Sequence, residues 1–347
     1  MSELVSESMS AGSGRVAPAP APDGELVTSR RGFFWVGTER VRHPAGLVPR
    51  GPMFVAWEAP EQVTRPYPLV LVHGGGGQGT DWMGTPDGRS GWSTMLVRSG
   101  HVVYVVDRPG HGRSPYHPDV LGAMGPPFSY ERAKEIFAPD SHASLHTQWP
   151  GSRDLDDPLF DQVLAPTGPM PADMAAAHRL DADRLVQLLE RVGPAVLVTH
   201  SAGAPGGWLA ADARPDLVVA LLALEPIGPP FLRLPDGGSL LPWGLTAAPP
   251  AFDPPAADPS ELAVGSHRLP GLARVPIGVF SAGASPFDAF AGDVAEFLRA
   301  AGCRAEWVRL ADHGVPGNGH AVMFERNSAE ALAVLVRWLD EVITQQR

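Results

Sequence analysis

Ser201 lies in a setting that can turn a serine hydroxyl into a nucleophile. It follows the apolar run 195–199, and the small residues 202–204 come directly after it. This order of strand, sharp turn and helix is typical of the G-x-S-x-G pattern, which lifts a serine hydroxyl out of a sheet. The first glycine of the pattern is replaced by Thr199. A serine at such a turn attacks carbonyl carbons once a base takes its proton.

A second serine, Ser281, also follows an apolar run and precedes Ala282 and Gly283. Val279 occupies the position that should be small, and no glycine-rich loop precedes Ser281 at the expected place. Ser201 is therefore the preferred nucleophile. The alternative role for Ser201 is that of a serine capping a helix N-terminus.

The base of such a serine is expected in the loop after the last strand, where two histidines lie, His313 and His320. His320 is preferred, because it comes just before the final helix in a loop of small residues. The acid that orients the imidazole has two candidates. Glu225 ends an apolar run, where an unpaired carboxylate would be costly, whereas Asp288 is expected inside a later helix. Glu225 is the preferred acid.

Four glycines, 74–77, follow the apolar run 68–73. Glycines let a backbone approach a substrate closely, and N–H groups aimed at a developing oxyanion lower the barrier of acyl transfer. We expect the N–H groups of Gly75 and Ala202 to be these donors. A phosphate-binding loop would end in Gly-Lys-Ser/Thr, which is missing here.

Apolar runs alternate with helical patterns along the chain, which predicts an α/β fold with a mostly parallel sheet. The predicted strands are 33–37, 53–57, 68–73, 102–107, 195–199, 218–224, 275–280 and 304–310. The predicted helices are 91–99, 171–192, 288–301 and 328–344.

The predicted organisation is a disordered tail over 1–27 and one domain over 28–347. Two long insertions, at about 115–170 and 226–274, interrupt the alternation, and such connections are usually lids or binding loops. Partly disordered segments are the alternative. Trp92 and Trp82 are the first candidates for an apolar substrate pocket, with core packing as the alternative. Further aromatic candidates are Phe128, Trp149, Phe231 and Trp243.

Composition excludes several classes of protein. The formal net charge of −11 speaks against a nucleic-acid binder, which needs a basic surface. A single cysteine, Cys303, allows neither an internal disulfide nor a cysteine-rich zinc site. Neither a signal peptide nor an apolar run of about 20 residues is evident. We expect a cytoplasmic protein with no membrane partner, metal or organic cofactor.

The turn 107–114, with the sequence DRPGHGRS, resembles the D-x-x-G-x-G-x-S turn of α/β-hydrolases, where it is structural; Asp107 is therefore assigned no chemistry. More narrowly, the chain resembles a small group of bacterial carboxylesterases whose acid is a glutamate after the sixth strand. The shared stretches are Thr85-Pro86-Asp87-Gly88-Arg89, Gly91-Trp92, His200-Ser201, Glu225-Pro226, Gly317-Asn318 with His320, and Arg326-Asn327.

The resemblance implies an α/β-hydrolase fold, a triad of Ser201, His320 and Glu225, a cap built from the insertions, and allows a homodimer. One departure is visible: a described esterase of this group has adjacent cysteines where this chain has Gly75-Gly76, so a redox role does not carry over. The expected reaction is hydrolysis of a small-molecule carboxylic ester through an acyl-enzyme on Ser201. The alternatives are a lactonase, thioesterase, C–C hydrolase or acyltransferase with the same triad, or a silent binding module.

Overall fold

The structure, a computed structural model, describes residues 27–234, 237–263 and 267–346. All but the last residue of the predicted N-terminal tail lies outside this part. The strands are β1 Ser29–Val36, β2 Arg40–His43, β3 Gly46–Pro49, β4 Met53–Pro60, β5 Leu69–Val72, β6 Val103–Asp107, β7 Ala195–His200, β8 Val218–Leu224, β9 Pro276–Ser281 and β10 Arg304–Arg309. The helices are α1 Trp92–Arg98, α2 Pro118–Leu121, α3 Tyr130–Phe137, α4 Pro158–Leu164, α5 Met174–Val192, α6 Ala204–Ala213, α7 Asp288–Ala300 and α8 Ser328–Gln345.

Eight strands form one sheet in the order β1-β4-β6-β5-β7-β8-β9-β10. The first two pairings, β1 with β4 and β4 with β6, are antiparallel, and all the others are parallel. The remaining strands, β2 and β3, form a separate hairpin. The predicted α/β class and mostly parallel sheet are confirmed, and the strand order is that of the α/β-hydrolase fold.

The central strands are apolar on both sides because helices cover both faces of the sheet. Along β5, Val70 and Val72 join the core cluster that includes residues of α5, α6 and α7. Leu69 and Leu71 point the other way, into the cluster that includes residues of α1 and α8. This two-sided burial explains why the strands read as unbroken apolar runs in the sequence.

Parallel strands bring their carboxyl ends to one edge of the sheet, where ligand sites of open α/β sheets lie. The glycine loop follows β5, Ser201 follows β7 and Glu225 follows β8. The loop with His320 lies between β10 and α8. The sheet therefore sets the spacing of the candidate residues.

The two insertions lie in different places. Within 115–170, which includes α2, α3 and α4, Gly168 donates its N–H to the Gly76 carbonyl and Gln148 donates to the Gly317 carbonyl. This insertion therefore contacts the loops at the carboxyl edge. The described part of 226–274 donates the Ile227 N–H to the Ser201 carbonyl at 3.2 Å and packs Leu245 and Phe252 into the cluster with α6 and α7.

Thr199, the departure from the motif, is accommodated by a glycine on the next helix. Its side chain is fully buried at the end of β7. A Cβ added at Gly207 on α6 would lie 2.6 Å from the Thr199 Cγ2 atom. In the motif, the first glycine leaves space at the end of the strand. Here Gly207 of α6, the helix that packs on β7, leaves that space instead.

We predict that Gly207→Ala lowers the free energy of unfolding by about 1–3 kcal/mol, because the new methyl overpacks the core. Thr199→Ser removes the opposing methyl, so the same alanine should cost less in that background. Denaturant unfolding of the four proteins in this double-mutant cycle measures the coupling. Because alanine is the better helix former, part of the packing cost is offset in the single variant, so the coupling is the decisive quantity. A coupling energy of zero in the cycle would contradict this packing argument.

Candidate active site

Ser201 occupies a sharp turn between strand and helix. Its φ of 50° is in the left-handed region, which non-glycine residues rarely adopt and which stores strain. The short 3₁₀ turn Ser201–Gly203 leads directly into α6. A Cβ at Gly203 would lie 2.3 Å from the His73 carbonyl oxygen, so only glycine fits there.

A continuous chain of hydrogen bonds joins the preferred serine, histidine and glutamate. The Oγ atom of Ser201 lies 3.0 Å from Nε2 of His320. The Nδ1 atom of His320 lies 3.1 Å from Oε2 of Glu225. All three side chains are buried, with Ser201 9% exposed. Glu225 also has a left-handed backbone, with φ 49°.

Burial governs the protonation of these groups. It lowers the pKa of His320 to about 3, so the imidazole is neutral near pH 7. A neutral ring with its proton on Nδ1 donates to Glu225 and leaves Nε2 free to accept from the Ser201 hydroxyl.

The Glu225 carboxylate is fully buried, and its burial raises its pKa well above the usual value. The Ser285 hydroxyl and the Ala282 N–H, which lies 2.7 Å from Oε1, donate to the carboxylate and oppose this rise. These donors favour the charged form that can orient His320.

The alternative residues lie elsewhere. His313 is exposed at the end of a 3₁₀ turn. Asp288 forms an ion pair with Arg309 at 2.6 Å and accepts a hydrogen bond from the Ser281 hydroxyl at 2.7 Å. Ser281 itself is fully buried at the end of β9. None of the three contacts the Ser201 hydroxyl in the described residues.

The glycine loop packs directly against the turn of Ser201. A Cβ at Gly74 would lie 3.2 Å from the Ser201 Cβ, and one at Gly75 would lie 3.3 Å from the Ala202 Cβ. Gly75 would also meet the Met170 sulfur at 2.8 Å. The loop thus brings Gly75 and Ala202, the two expected oxyanion donors, side by side.

Apolar side chains surround the imidazole of His320. The Phe287 ring centroid lies 4.0 Å from that of His320, and the Phe137 ring stacks on it at 5.9 Å. Phe287, Phe137 and Met170 are half-buried, whereas the histidine is buried. These three residues were not among the predicted site residues, because no motif or spacing marks residues that reach the site from other elements.

The prediction for Trp92 and Trp82 is not supported. Both indoles are fully buried in the core cluster on the α1 and α8 side of the sheet, and the Trp92 Nε1–H donates to the Ser328 carbonyl at 2.9 Å. Apolar character alone cannot distinguish a core residue from a pocket residue. Phe128 packs on Phe137; the other aromatic candidates pack as Trp149 on Phe160, Phe231 on Phe297 and Trp243 on Phe252.

A second buried histidine–carboxylate pair holds the loop of His320. The Glu325 carboxylate is fully buried and accepts the Gly319 N–H at 2.9 Å and the Asn318 amide at 2.8 Å. His146, from insertion 115–170, places Nε2 2.7 Å from Oε1 of Glu325. A Cβ at Gly319 would lie 2.6 Å from the His146 ring. The insertion and the loop are therefore interlocked.

Within the described residues, no group of three or more His, Cys, Asp and Glu side chains has an arrangement that could hold a metal ion. No helix in that part of the chain is long and apolar enough to cross a membrane.

No family model matches the chain. A fungal protein named "Probable secreted lipase phiG", from Fungal sp. (strain ATCC 74256), is 34% identical over 345 residues, covering 92% of this chain and 91% of the relative. A solved bacterial esterase superposes with a TM-score of 0.66 and 23% identity, covering 94% of this chain and 99% of the esterase. Two Rhizomucor miehei esterases were solved together, and the matching chain has 12% identity, a TM-score of 0.49 and coverage of 94% and 86%.

The likeness to the bacterial esterase concerns the fold, whereas the fungal relative shows the family. The chain belongs to the α/β-hydrolases, in one family with this fungal protein, and is of the carboxylic ester hydrolase class.

We predict that His146→Leu lowers the free energy of unfolding by about 3 kcal/mol or more, because it leaves the Glu325 carboxylate buried without its histidine partner. His146→Gln keeps an N–H donor and should recover part of the loss. His142→Leu, in the same insertion but with a solvent-exposed hydrogen bond, is the matched control. Equal stability of the two leucine variants in thermal and denaturant unfolding would show that the pair contributes nothing.

Proposed function

We propose that this ester hydrolase uses Ser201 as nucleophile, His320 as general base and Glu225 as the acid that orients the base. The observation that carries the proposal is the unbroken chain from the Ser201 hydroxyl through both His320 nitrogens to Glu225. The strained turn at Ser201 supports it, because such strain persists only where the surroundings impose it and clusters at active sites.

In the acylation step, Ser201 Oγ attacks the ester carbonyl carbon while its proton passes to His320 Nε2. The N–H groups of Gly75 and Ala202 stabilise the negative charge on the carbonyl oxygen. The carbon–oxygen bond to the alcohol then breaks, and His320 returns the proton to the leaving oxygen. Glu225 stabilises the imidazolium that forms between the two transfers.

In the deacylation step, a water molecule takes the place of the alcohol. His320 accepts its proton as the hydroxide attacks the acyl carbon, and then gives the proton back to Ser201 Oγ as the acid leaves. The same donors stabilise the second tetrahedral intermediate.

The walls of the site favour apolar substrates. Phe137, Phe287 and Met170 present half-buried apolar surface beside the nucleophile and the base. We therefore propose esters with apolar acyl or alcohol groups, with insertion 115–170 serving as the cap. The name of the fungal relative, a lipase, agrees with this class. Lactones and thioesters follow as the next substrates to test.

A small-molecule ester needs no nucleic-acid or membrane partner, and a homodimer is compatible with the family resemblance. The predicted cytoplasmic location disagrees with the word "secreted" in the name of the fungal relative. Hydrolase activity measured separately in medium and lysate of cells expressing the full chain decides between the two.

We predict that the wild type is labelled by a fluorophosphonate probe and hydrolyses a short nitrophenyl ester. Ser201→Ala should abolish labelling and reduce kcat by about 10⁴-fold or more, because the residual rate of such variants comes from the oxyanion donors and binding alone.

Ser281→Ala is the control, since Ser281 is a buried serine at the end of strand β9 and should leave labelling intact. A folded but unlabelled and inactive wild type would favour a silent binding module instead.

We predict that kcat/KM stays constant from about pH 8 down to about pH 5, below the pKa of about 6.5 at which an ordinary histidine is protonated. The reason is that burial lowers the pKa of His320 to about 3, so the base loses its function only at lower pH.

Circular dichroism at each pH is the control for unfolding. The buried His111 and His178 have pKa values of about 3, so the unfolded state binds protons first and stability falls as pH drops below about 6.5. An acid limb of kcat/KM centred at pH 6.5 to 7 in the folded protein would contradict the prediction.

A further inference from the structure

Arg108 is a buried residue of the DRPGHGRS turn whose guanidinium reaches the backbone around Ser201. The Asp107 carboxylate stabilises the turn itself by accepting from the N–H groups of Gly79 and Arg113, at 2.7 and 2.6 Å. Arg108, directly after β6, is only 3% exposed. Its guanidinium pairs with the Asp181 carboxylate of α5 at 2.9 Å, and that carboxylate is equally buried.

The guanidinium also binds the backbone on both sides of the site. Its Nη2 atom donates to the Gly74 carbonyl at 2.7 Å, and its Nη1 atom lies 3.3 Å from the Ala202 carbonyl. One side chain thus contacts the glycine loop after β5 and the nucleophile turn after β7.

The Gly74 carbonyl receives a second hydrogen bond. The backbone N–H of Arg108 donates to Nε2 of His73 at 2.9 Å, so Nε2 carries no proton. Burial, followed by the Arg108 charge, lowers the pKa of His73 well below the ordinary value. The neutral ring therefore holds its proton on Nδ1 and donates it to the Gly74 carbonyl, 2.9 Å away.

The Gly74 carbonyl belongs to the same peptide unit as the Gly75 N–H. In a trans peptide these two groups point in opposite directions. A carbonyl fixed toward Arg108 and His73 therefore directs the Gly75 N–H away from them. This N–H donates to no group within 27–234, 237–263 and 267–346, so it remains available to a ligand. A cation bonded to the carbonyl also polarises the peptide and strengthens its N–H as a donor.

We infer that Arg108, held by Asp181, is the positioning residue of the oxyanion hole: it fixes and polarises the Gly74–Gly75 peptide, whose N–H stabilises the tetrahedral intermediate. The inference rests on the proposed function, because it assigns Gly75 the role of oxyanion donor. Arg108 acts through the backbone and does not touch the substrate.

A buried ion pair is by itself weak evidence of a stabilising role, since apolar replacements of similar volume are often as stable. Two of the interactions of Arg108 nevertheless converge on one group. Its backbone N–H, through His73, and its Nη2 atom act on the same carbonyl. This convergence separates Arg108 from a residue that only fills the core.

The test is the double variant Arg108→Gln/Asp181→Asn, which removes both charges and so leaves no unpaired ion in the core. Loss of a whole oxyanion donor costs about 10²–10³ in kcat, so loss of its positioning should lower kcat about tenfold or more. KM should stay within about twofold, because the donor acts on the transition state. The affinity for phenylboronic acid, which becomes tetrahedral on the serine, should fall by the same factor as kcat/KM.

Arg184→Gln is the matched control. Arg184 is also a buried arginine that donates to a backbone carbonyl, that of Gly51 at 2.9 Å, and pairs with Glu39 at 2.9 Å. The Arg184→Gln variant should be less stable than the wild type but keep the same kcat per active site. Active sites are counted by endpoint labelling with the fluorophosphonate probe. Arg108→Lys, which keeps the charge but offers a single donor centre, provides a second variant if the double variant does not fold, and should show the same split between kcat and KM.

Unchanged kcat and boronate affinity in the folded Arg108 variants, with Ser201→Ala inactive, would overturn the inference and leave the triad intact. If kcat per active site falls no further in the Arg108 variants than in Arg184→Gln, Arg108 has only a structural role. That result would overturn the inference as well. An inactive, unlabelled wild type would instead remove the proposed function, and the inference with it.

Discussion

The left-handed backbone at Ser201 is the constraint on which the rest of the site depends. Strand β7 must end and the helical turn must begin at one residue, which projects the hydroxyl beyond the edge of the sheet. The same requirement leaves no room for side chains nearby, so the chain has Gly203 against the His73 carbonyl and Gly74 against the Ser201 side chain. Glu225, at the end of the neighbouring strand, is also left-handed. Two strained turns on adjacent strands leave a gap that one imidazole spans.

Burial from solvent determines how strongly the charged and polar groups of the site interact. Electrostatic interactions are stronger in a medium of low dielectric, and the side chains of Ser201, His320 and Glu225 have little or no contact with solvent. Two further buried pairs, Arg108 with Asp181 and His146 with Glu325, support the loops that carry the proposed catalytic groups. The strain and the buried charges are tolerable because the surrounding sheet and helices hold them from several sides.

Much of this arrangement was accessible from the sequence. Strand runs, the order of elements and the residues at strand ends follow from local periodicity and from the parallel sheet, and Ser201, His320 and Glu225 are local signals of that kind. Phe137, Phe287 and Met170 were not predictable, because their role depends on how other segments fold over the edge. Trp82 and Trp92 were misassigned for the related reason that an aromatic residue has the same local signature in a core as in a pocket. The match between Thr199 and Gly207 likewise depends on a contact between two elements.

Insertion 115–170 contributes Phe137 to the wall beside His320 and His146 to the support beneath it. In the proposed enzyme, substrate choice and catalytic alignment would therefore be encoded in one stretch of chain. A substitution in this insertion that changes substrate choice can therefore also disturb the alignment of His320. A loop grafted from a relative to alter specificity would have to arrive together with a compatible glycine at 319 and a carboxylate at 325. Diversification within such a family should then proceed through point changes on the inner wall of the insertion more readily than through wholesale exchange of the segment.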